Sequence, residues 1–147
     1  MAKDDYVVIP PVLTVPVEDS MDIMIARDTA RRAAGLLGFA PAFRAQLAGA
    51  AGALAELVLK TGTLHEIDFK GVQRGRDVGI QISCQARWLT NVSPANVEMA
   101  LRAKLGDLVD DIALIGNAPP VITLTMWLTA PREIRDTENP PLDEPES

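Results

Sequence analysis

The 147-residue sequence has little of several residue types, and each shortage excludes a class of chemistry. It contains one cysteine, Cys84, so no disulfide can form within the chain. It also contains one histidine, His65, and with one histidine and one cysteine we expect neither a histidine-centred catalytic triad nor a zinc site. Aromatic residues make up 4%, and 14 basic residues are outnumbered by 20 acidic ones, which argues against nucleic-acid binding.

Uninterrupted apolar runs are short as well. None approaches the roughly 18 to 20 residues that a membrane-spanning helix needs, so we do not expect an integral membrane protein. The first residues lack the basic start and apolar run of a secretory signal, and we expect a cytoplasmic protein. What the sequence does have is apolar bulk: 48% hydrophobic residues over 147 positions suffice for one domain with a proper core.

Composition divides the chain into three parts. Residues 1–11 are expected to be flexible, residues 12–130 to form the folded domain, and residues 131–147 to be a disordered acidic tail. The tail holds six acidic residues, two arginines and four prolines, with few apolar side chains. Most of the formal net charge of -6 therefore lies outside the expected domain.

Hydrophobic periodicity predicts seven elements in this domain, four strands and three helices. The strands are expected at 12–17, 64–72, 78–86 and 121–128. The helices are expected at 21–37, 41–62 and 94–115, the last one bent near Gly106. Because several strands are apolar on one side only, we predict an α/β fold of the α+β two-layer sandwich type. It has about four strands in a mixed or antiparallel sheet and three main helices on one face.

Two stretches resemble a known family. Residues 22–39, "DIMIARDTARRAAGLLGF", are similar to the first helix of the anti-sigma-factor serine kinases (RsbT/RsbW-like) of the GHKL, or histidine-kinase-like, ATPase superfamily. Residues 108–114, "LVDDIAL", with a final strand ending in "WL", look like the last helix and strand of that family. The resemblance covers about residues 12–128 and implies a GHKL ATPase-like domain, with ATP and magnesium as the family's ligands.

The polar groups that hold the nucleotide in that family are missing here. Family members carry a glutamate base on the second helix and a magnesium-binding asparagine four residues later. Counted without a gap from Phe39, these positions are Ala53 and Leu57, and neither side chain can serve. Glu56 is the nearest carboxylate, but it is rotated about 60° from the position of Ala53, so we expect it to face solvent. A register that makes Glu56 the base puts Lys60 at the metal position.

The adenine-reading motif of the family is also degenerate. In the stretch "SCQARWL", Cys84 stands near the place of the family's aspartate, and Ala86, Arg87 and Trp88 replace its glycines. The glycine-rich loop that wraps the phosphates has no counterpart. The resemblance with these losses implies a pseudokinase-like site with no catalytic residue, no metal ligand and no bound cofactor. Cys84 is then expected to be a small buried hydrophobic residue.

A few other residues are candidates for contacts. Arg27, Arg31 and Arg32 are predicted to share one side of the first helix, either as a solvated face or as a weak binding site for an acidic partner. Trp88 has three open roles: it plugs the vacated pocket, belongs to the ordinary core, or contacts a partner. His65 is expected to pack or to touch solvent rather than to catalyse.

Three functional hypotheses follow. The first is a non-catalytic, anti-sigma-like regulatory protein that acts by protein–protein binding in a bacterial partner-switching pathway. Its partner would be a STAS-domain antagonist, a phosphatase or a sigma factor. The alternative is an active ATP-dependent serine kinase and anti-sigma factor with atypical ligands. The third is a structural, self-assembling subunit, which an exposed apolar patch would favour. The oligomeric state and the role of the acidic tail stay open.

Overall fold

The computed structural model describes residues 6–90, 92–116 and 119–128. Within them it has five strands, three α-helices and a short 3₁₀ turn. In chain order these are β1 Val7–Val17, α1 Met21–Leu36, α2 Pro41–Lys60, β2 His65–Arg74, β3 Asp77–Gln85, the 3₁₀ turn Arg87–Leu89, α3 Pro94–Leu105, β4 Asp111–Ile115 and β5 Val121–Trp127. The acidic tail expected at 131–147 lies outside the described residues, as do residues 1–5.

The strands form one antiparallel sheet in the order β1-β2-β3-β5-β4. One row across the five strands is apolar and consists of Val15, Ile67, Cys84, Ile122 and Leu114. The next row along the strands consists of Thr14, Asp68, Ser83, Thr123 and Ala113. Because successive strand residues point to opposite faces, the sheet has one apolar face and one largely polar face. The predicted one-sided strands are confirmed.

The three helices pack against the apolar face. Apolar residues at the helical period of α1, Ala26, Ala30 and Ala33, form a buried stripe, and α2 and α3 add Leu54 and Leu101 to the same core. We call this side of the sheet the helix face and the other side the open face. The predicted two-layer α/β architecture, with three helices on one face of a sheet, is confirmed. The sheet, however, has five strands rather than four.

The hydropathy of α2 reflects its place in this core. By length and composition alone the helix is long and apolar enough to cross a membrane. Eight of its 20 residues, however, are buried among α1 and the sheet. Pro41 occupies the first turn, where the missing N–H costs nothing, and Lys60 lies in the last turn, where a cation is favourable. The apolar residues of α2 therefore serve, in this fold, to pack against α1 and the sheet.

The third helix is shorter than the sequence predicts. It ends at Leu105, where the N–H of Gly106 donates to the carbonyl of Arg102, and the expected continuation to residue 115 is wrong. Asp111–Ile115 instead forms β4, so the "LVDDIAL" stretch runs into a strand. Apolar residues at 108, 112 and 115 fit a helical period, while those at 112 and 114 also fit a strand. Pairing with the free edge of β5 decides between the two.

The first strand extends further than expected. It starts at Val7 rather than at residue 12, and its pairing with β2 has an irregularity between Ile9 and Val12. It lies at an edge of the sheet, as Pro16 predicts, because proline cannot donate to a neighbouring strand. The opposite edge, β4, is covered by α3. Glu98 accepts a hydrogen bond from the N–H of Leu114 at 3.1 Å.

Candidate functional site

An apolar groove of about 350 Å³ lies between α2, the 3₁₀ turn and α3. Leu57 of α2, Trp88 and Leu89 of the turn and Leu101 of α3 line its walls, and Ile122 of β5 lines it as well. Asn96 and Lys104 are the polar residues among the described residues that line it, and none of these described residues carries a carboxylate. The groove is thus suited to an apolar group, with one cation beside it, and the amide oxygen of Asn96 is the side-chain oxygen that its described lining offers to a divalent metal.

Hydrogen bonds fix the turn that carries Trp88. The N–H of Ala86 donates to the carbonyl of Pro120 at 2.8 Å, which ties the end of β3 to the start of β5. Leu89 closes the turn by donating to the carbonyl of Ala86 at 2.9 Å. The guanidinium of Arg87 donates to the carbonyl of Leu64 at 2.9 Å and so anchors the turn to the loop after α2. Trp88 is therefore held at a defined position.

The indole of Trp88 packs against the only histidine. The rings of His65 and Trp88 are 4.8 Å apart between centroids and stand at 89°, an edge-to-face arrangement. The Nδ1 of His65 donates to the carbonyl of Thr63 at 3.0 Å. Nε2 is buried and has no hydrogen-bond partner in the described part of the chain. His65 therefore packs against Trp88, in agreement with the expectation that it packs or touches solvent.

The residues that the resemblance places in the nucleotide site of the kinases do not all lie in one groove of this structure. Leu57 and Trp88 line the same groove. Ala53, one turn before Leu57, is half-buried against the core and is not part of the lining. Glu56 is exposed and also outside the lining, so it faces solvent as expected. A carboxylate that points away from this groove cannot act on a group bound in it.

Cys84 and Ala86 lie beneath the groove region rather than in it. Both are buried, as expected for Cys84, and Cys84 belongs to the apolar row of the sheet. Burial, and to a smaller degree the carboxylate of Asp68, raises the pKa of the Cys84 thiol to about 12, while Arg87 acts in the opposite direction. The thiol is therefore neutral at physiological pH and is not a nucleophile.

The three arginines of α1 do not form one cluster. Arg27 is half-buried and lies across α2 at Gly52, whose missing Cβ would stand 3.1 Å from its side chain. Arg31 is exposed and contacts Asp28 at 3.4 Å, and Arg32 is exposed. Arg27 and Arg31 are one turn apart on α1, but Arg27 is the less exposed of the two, because the glycine on α2 leaves room for its stem.

A second groove, of about 270 Å³, lies on the open face of the sheet. The guanidinium of Arg74 stands 4.5 Å from the centre of the Trp127 ring, and the indole N–H of Trp127 donates to Asp111 at 3.1 Å. Gln81 donates to the hydroxyl of Tyr6 at 2.9 Å. The charged and aromatic groups in this groove already pair with one another, which distinguishes it from the apolar groove.

No group of three or more His, Cys, Asp or Glu side chains in the described ranges is arranged to hold a metal ion. Neither a model of a known protein family nor a curated protein sequence matches this chain.

Sequence reasoning missed several parts of this region. It expected a helix at 111–115, so it could not place β4 beside β5. It also overlooked Arg44, which lies against Gly35 in the same way that Arg27 lies against Gly52. The signal was present, because Arg27 precedes Gly35 on α1 by eight residues, and Arg44 precedes Gly52 on α2 by the same number. That pattern acquires meaning only when the two helices are known to pack antiparallel.

Proposed function

We propose that this chain is a non-catalytic regulatory protein that binds a protein partner through the apolar groove. The resemblance to anti-sigma-factor serine kinases suggests a cytoplasmic partner-switching pathway of a bacterium. It also suggests the class of partner: a STAS-domain antagonist, a phosphatase or a sigma factor. In this proposal the protein keeps a GHKL-like scaffold and has lost the ability to bind the nucleotide.

The lining of the groove carries the proposal. Leu57 occupies the position that the resemblance assigns to the magnesium ligand, and it lies beside Trp88 in a groove whose described lining has no carboxylate. ATP brings three phosphates and a magnesium ion, which need backbone amides, cations and oxygen ligands. Transfer of such charges to an apolar surface is unfavourable. A leucine, methionine or phenylalanine of a partner, by contrast, gains free energy by entering it.

Nucleotide binding is the first test. A ligand present at about 1,000 times its dissociation constant adds about 4 kcal/mol to the free energy of unfolding. For a domain of this size, that is a rise of roughly 10 °C or more in the thermal midpoint. We expect no rise with ATP and magnesium, as measured by differential scanning calorimetry, with magnesium alone as the control. A rise that requires ATP would support the active kinase instead.

Partner binding is the second test. The STAS-domain, phosphatase and sigma-factor proteins of the source genome would be titrated against the full chain by isothermal calorimetry. Leu57→Lys should weaken the dissociation constant of the true partner roughly tenfold to a hundredfold, because one buried leucine contributes about 1.5 to 3 kcal/mol. Glu56→Gln, a change at the adjacent exposed position, is the matched control and should leave affinity unchanged. Equal affinities of Leu57→Lys and the unaltered chain would refute binding through this groove.

A self-assembling role is a second candidate, because α1 presents an exposed apolar patch. Met21, Met24 and Ile25 are 74, 63 and 49% exposed at its first turns. Such a patch is typical of an interaction surface. Light scattering after gel filtration, over a range of protein concentrations, separates the two roles. A monomer for both the unaltered chain and Met24→Lys would exclude assembly through α1, whereas an oligomer that Met24→Lys dissociates would establish it.

A further inference from the structure

The helical hairpin α1–α2 is the cationic region of an acidic protein. Residues 21–60 contain five basic and three acidic side chains. Every other part of the chain has an excess of acidic residues. There are one basic and four acidic residues in 1–20, six and seven in 61–128, and two and six in 129–147. The hairpin is therefore the part of the chain whose net charge attracts an acidic segment.

Two arginines lie flat along the seam between the two helices. Arg27 of α1 rests on Gly52 of α2, and Arg44 of α2 rests on Gly35 of α1. A Cβ at Gly52 would stand 3.1 Å from the Arg27 side chain, and one at Gly35 would stand 3.2 Å from an Nη of Arg44. Each arginine precedes the glycine of its own helix by eight residues, so the antiparallel pairing repeats the same contact twice. We call these four residues the arginine seam.

The charges of the seam are not neutralised by the described part of the chain. Among residues 6–90, 92–116 and 119–128, the side chains of Arg27 and Arg44 have no hydrogen bond and no ion pair. The Nε of Arg44 is buried and lacks a partner in those residues. A buried guanidinium nitrogen without an acceptor is unfavourable, because it has lost its hydration and nothing replaces it. An incoming carboxylate would supply the missing acceptor.

The described chain ends beside this hairpin. The N–H of Leu128 donates to the carbonyl of Val78 at 2.7 Å. The side chain of Leu128 lies 3.8 Å from where a Cβ of Gly38 would stand, and Gly38 is in the turn between α1 and α2. Residues 129–147 therefore start at the end of the hairpin that carries Gly35 and Arg44. When extended, 19 residues span roughly 60 Å, and the 16 residues of α1 are about 24 Å long.

We propose that the arginine seam is a docking surface for an acidic peptide, and that its occupant is the chain's own segment 129–147. Carboxylates of this segment, such as Glu133, Asp136 and Glu138, pair with the guanidinium groups of Arg27 and Arg44. This inference does not rest on the proposed function. Gly52 and Leu57 are five residues apart on α2, which separates the seam and the apolar groove by about 140° around the helix.

Paramagnetic NMR on the full chain tests the proposal. A nitroxide is attached at Thr137→Cys, in the middle of the acidic segment, and Cys84 is not labelled because its thiol is buried and neutral. We expect selective broadening of the amide signals of residues 27–35 and 44–52 at about 20 mM salt. At about 500 mM salt the broadening should largely disappear, because the Debye length falls to about 4 Å.

Two sets of variants show whether the named charges are responsible. Arg27→Gln with Arg44→Gln keeps part of each stem and should remove most of the broadening. Lys60→Gln, which removes an exposed cation elsewhere on the hairpin, should not. Substitutions in the seam can disturb helix packing, so a second variant removes carboxylates of the acidic segment instead. It combines Glu133→Gln, Asp136→Asn and Glu138→Gln, which lie outside the described residues, and it should lose the broadening to the same extent.

Three results would overturn the proposal. The first is an absence of broadening at low salt, and the second is broadening that persists in the neutralised segment. The third comes from mixing a nitroxide-labelled chain with an isotope-labelled chain that keeps Thr137 and carries no nitroxide. Broadening in that mixture would assign the seam to the acidic segment of a second copy rather than to the chain's own.

Discussion

The helix face and the open face of the sheet are both well shielded at their centre, yet their chemistry is opposite. On the helix face Ile82 and Leu124 are fully buried against the helices. On the open face Gln81, Thr123 and Thr125 are only 5 to 6% exposed, although none of the described helices packs there. The comparison teaches that a low exposed fraction does not by itself identify the core.

The source of stabilisation differs between the two faces. Apolar side chains on the helix face gain free energy in proportion to the area that they remove from water. Polar side chains on the open face are held by hydrogen bonds, such as that from Thr14 to Asp68 at 2.7 Å, whose net contribution is small. Substitutions at equal exposure should therefore have unequal effects, and four predictions test this difference.

The largest effect is expected for a large-to-small change on the helix face. Leu124→Ala should lower the free energy of unfolding by about 2 to 5 kcal/mol, because it removes buried methyl groups and leaves a cavity. Thr125→Ala, the next residue on the same strand but on the open face, should cost less than about 1.5 kcal/mol. Urea denaturation of both variants measures the difference. Equal losses would mean that the open face is also packed as a core.

A change that adds volume to the open face comes next. A Cβ at Gly79 would stand 2.7 Å from the carbonyl oxygen of Met126 and from the indole of Trp127. Gly79→Ala should cost about 1 to 3 kcal/mol, because the backbone oxygen cannot move aside easily. Gly49→Ala in α2 is the control. Its nearest neighbour is 3.7 Å away, so the better helix propensity of alanine should raise stability by up to about 1 kcal/mol.

Two glutamates on opposite faces should differ by a smaller amount. Glu98 of α3 accepts from the N–H of Leu114 and protects the edge of β4, whereas Glu66 is exposed on the open face. Glu98→Ala should cost about 1 to 2 kcal/mol and Glu66→Ala less than about 0.5 kcal/mol. Thermal unfolding distinguishes them. If both variants melt at the temperature of the unaltered protein, the contact at the β4 edge is energetically unimportant.

The smallest effect at neutral pH concerns Cys84 on the helix face. Its pKa is raised to about 12, above the value of about 8.5 for a thiol in the unfolded chain. Between about pH 8.5 and 12, the Cys84 thiol therefore keeps its proton in the folded state and loses it in the unfolded state. This contribution to stability is complete below about pH 8.5 and is lost as the pH rises towards 12.

The thiol is checked through its reactivity. At about pH 8, just below the usual thiol pKa, Ellman's reagent should react slowly with Cys84 in the folded protein and rapidly after denaturation in urea. The control is Glu66→Cys, which introduces a thiol at an exposed position on the open face and should react rapidly in both states. Rapid reaction of Cys84 in the folded protein would contradict its burial on the helix face.

Part of the fold was predictable because the signals are local. The alternation in β2, β3 and β5 identifies the strands and their apolar side, since the two faces of a strand are fixed by a period of two residues. Gly38 and Pro41 separate α1 from α2, because one adopts a positive φ of 96° and the other fits only the first turn of a helix. The α1 stripe follows in the same way from the helical period.

The sequence by itself determined which segments are one-sided, where two helices are separated, and that no disulfide can form within the chain. Only the tertiary structure decided that residues 111–115 are a strand, that Arg27 packs against Gly52 of α2, and that Leu57 and Trp88 line one apolar groove. The physical reason is sequence distance. A period is set by neighbouring residues, whereas these contacts depend on the free edge of β5, on a glycine of another helix and on hydrogen bonds that close the 3₁₀ turn.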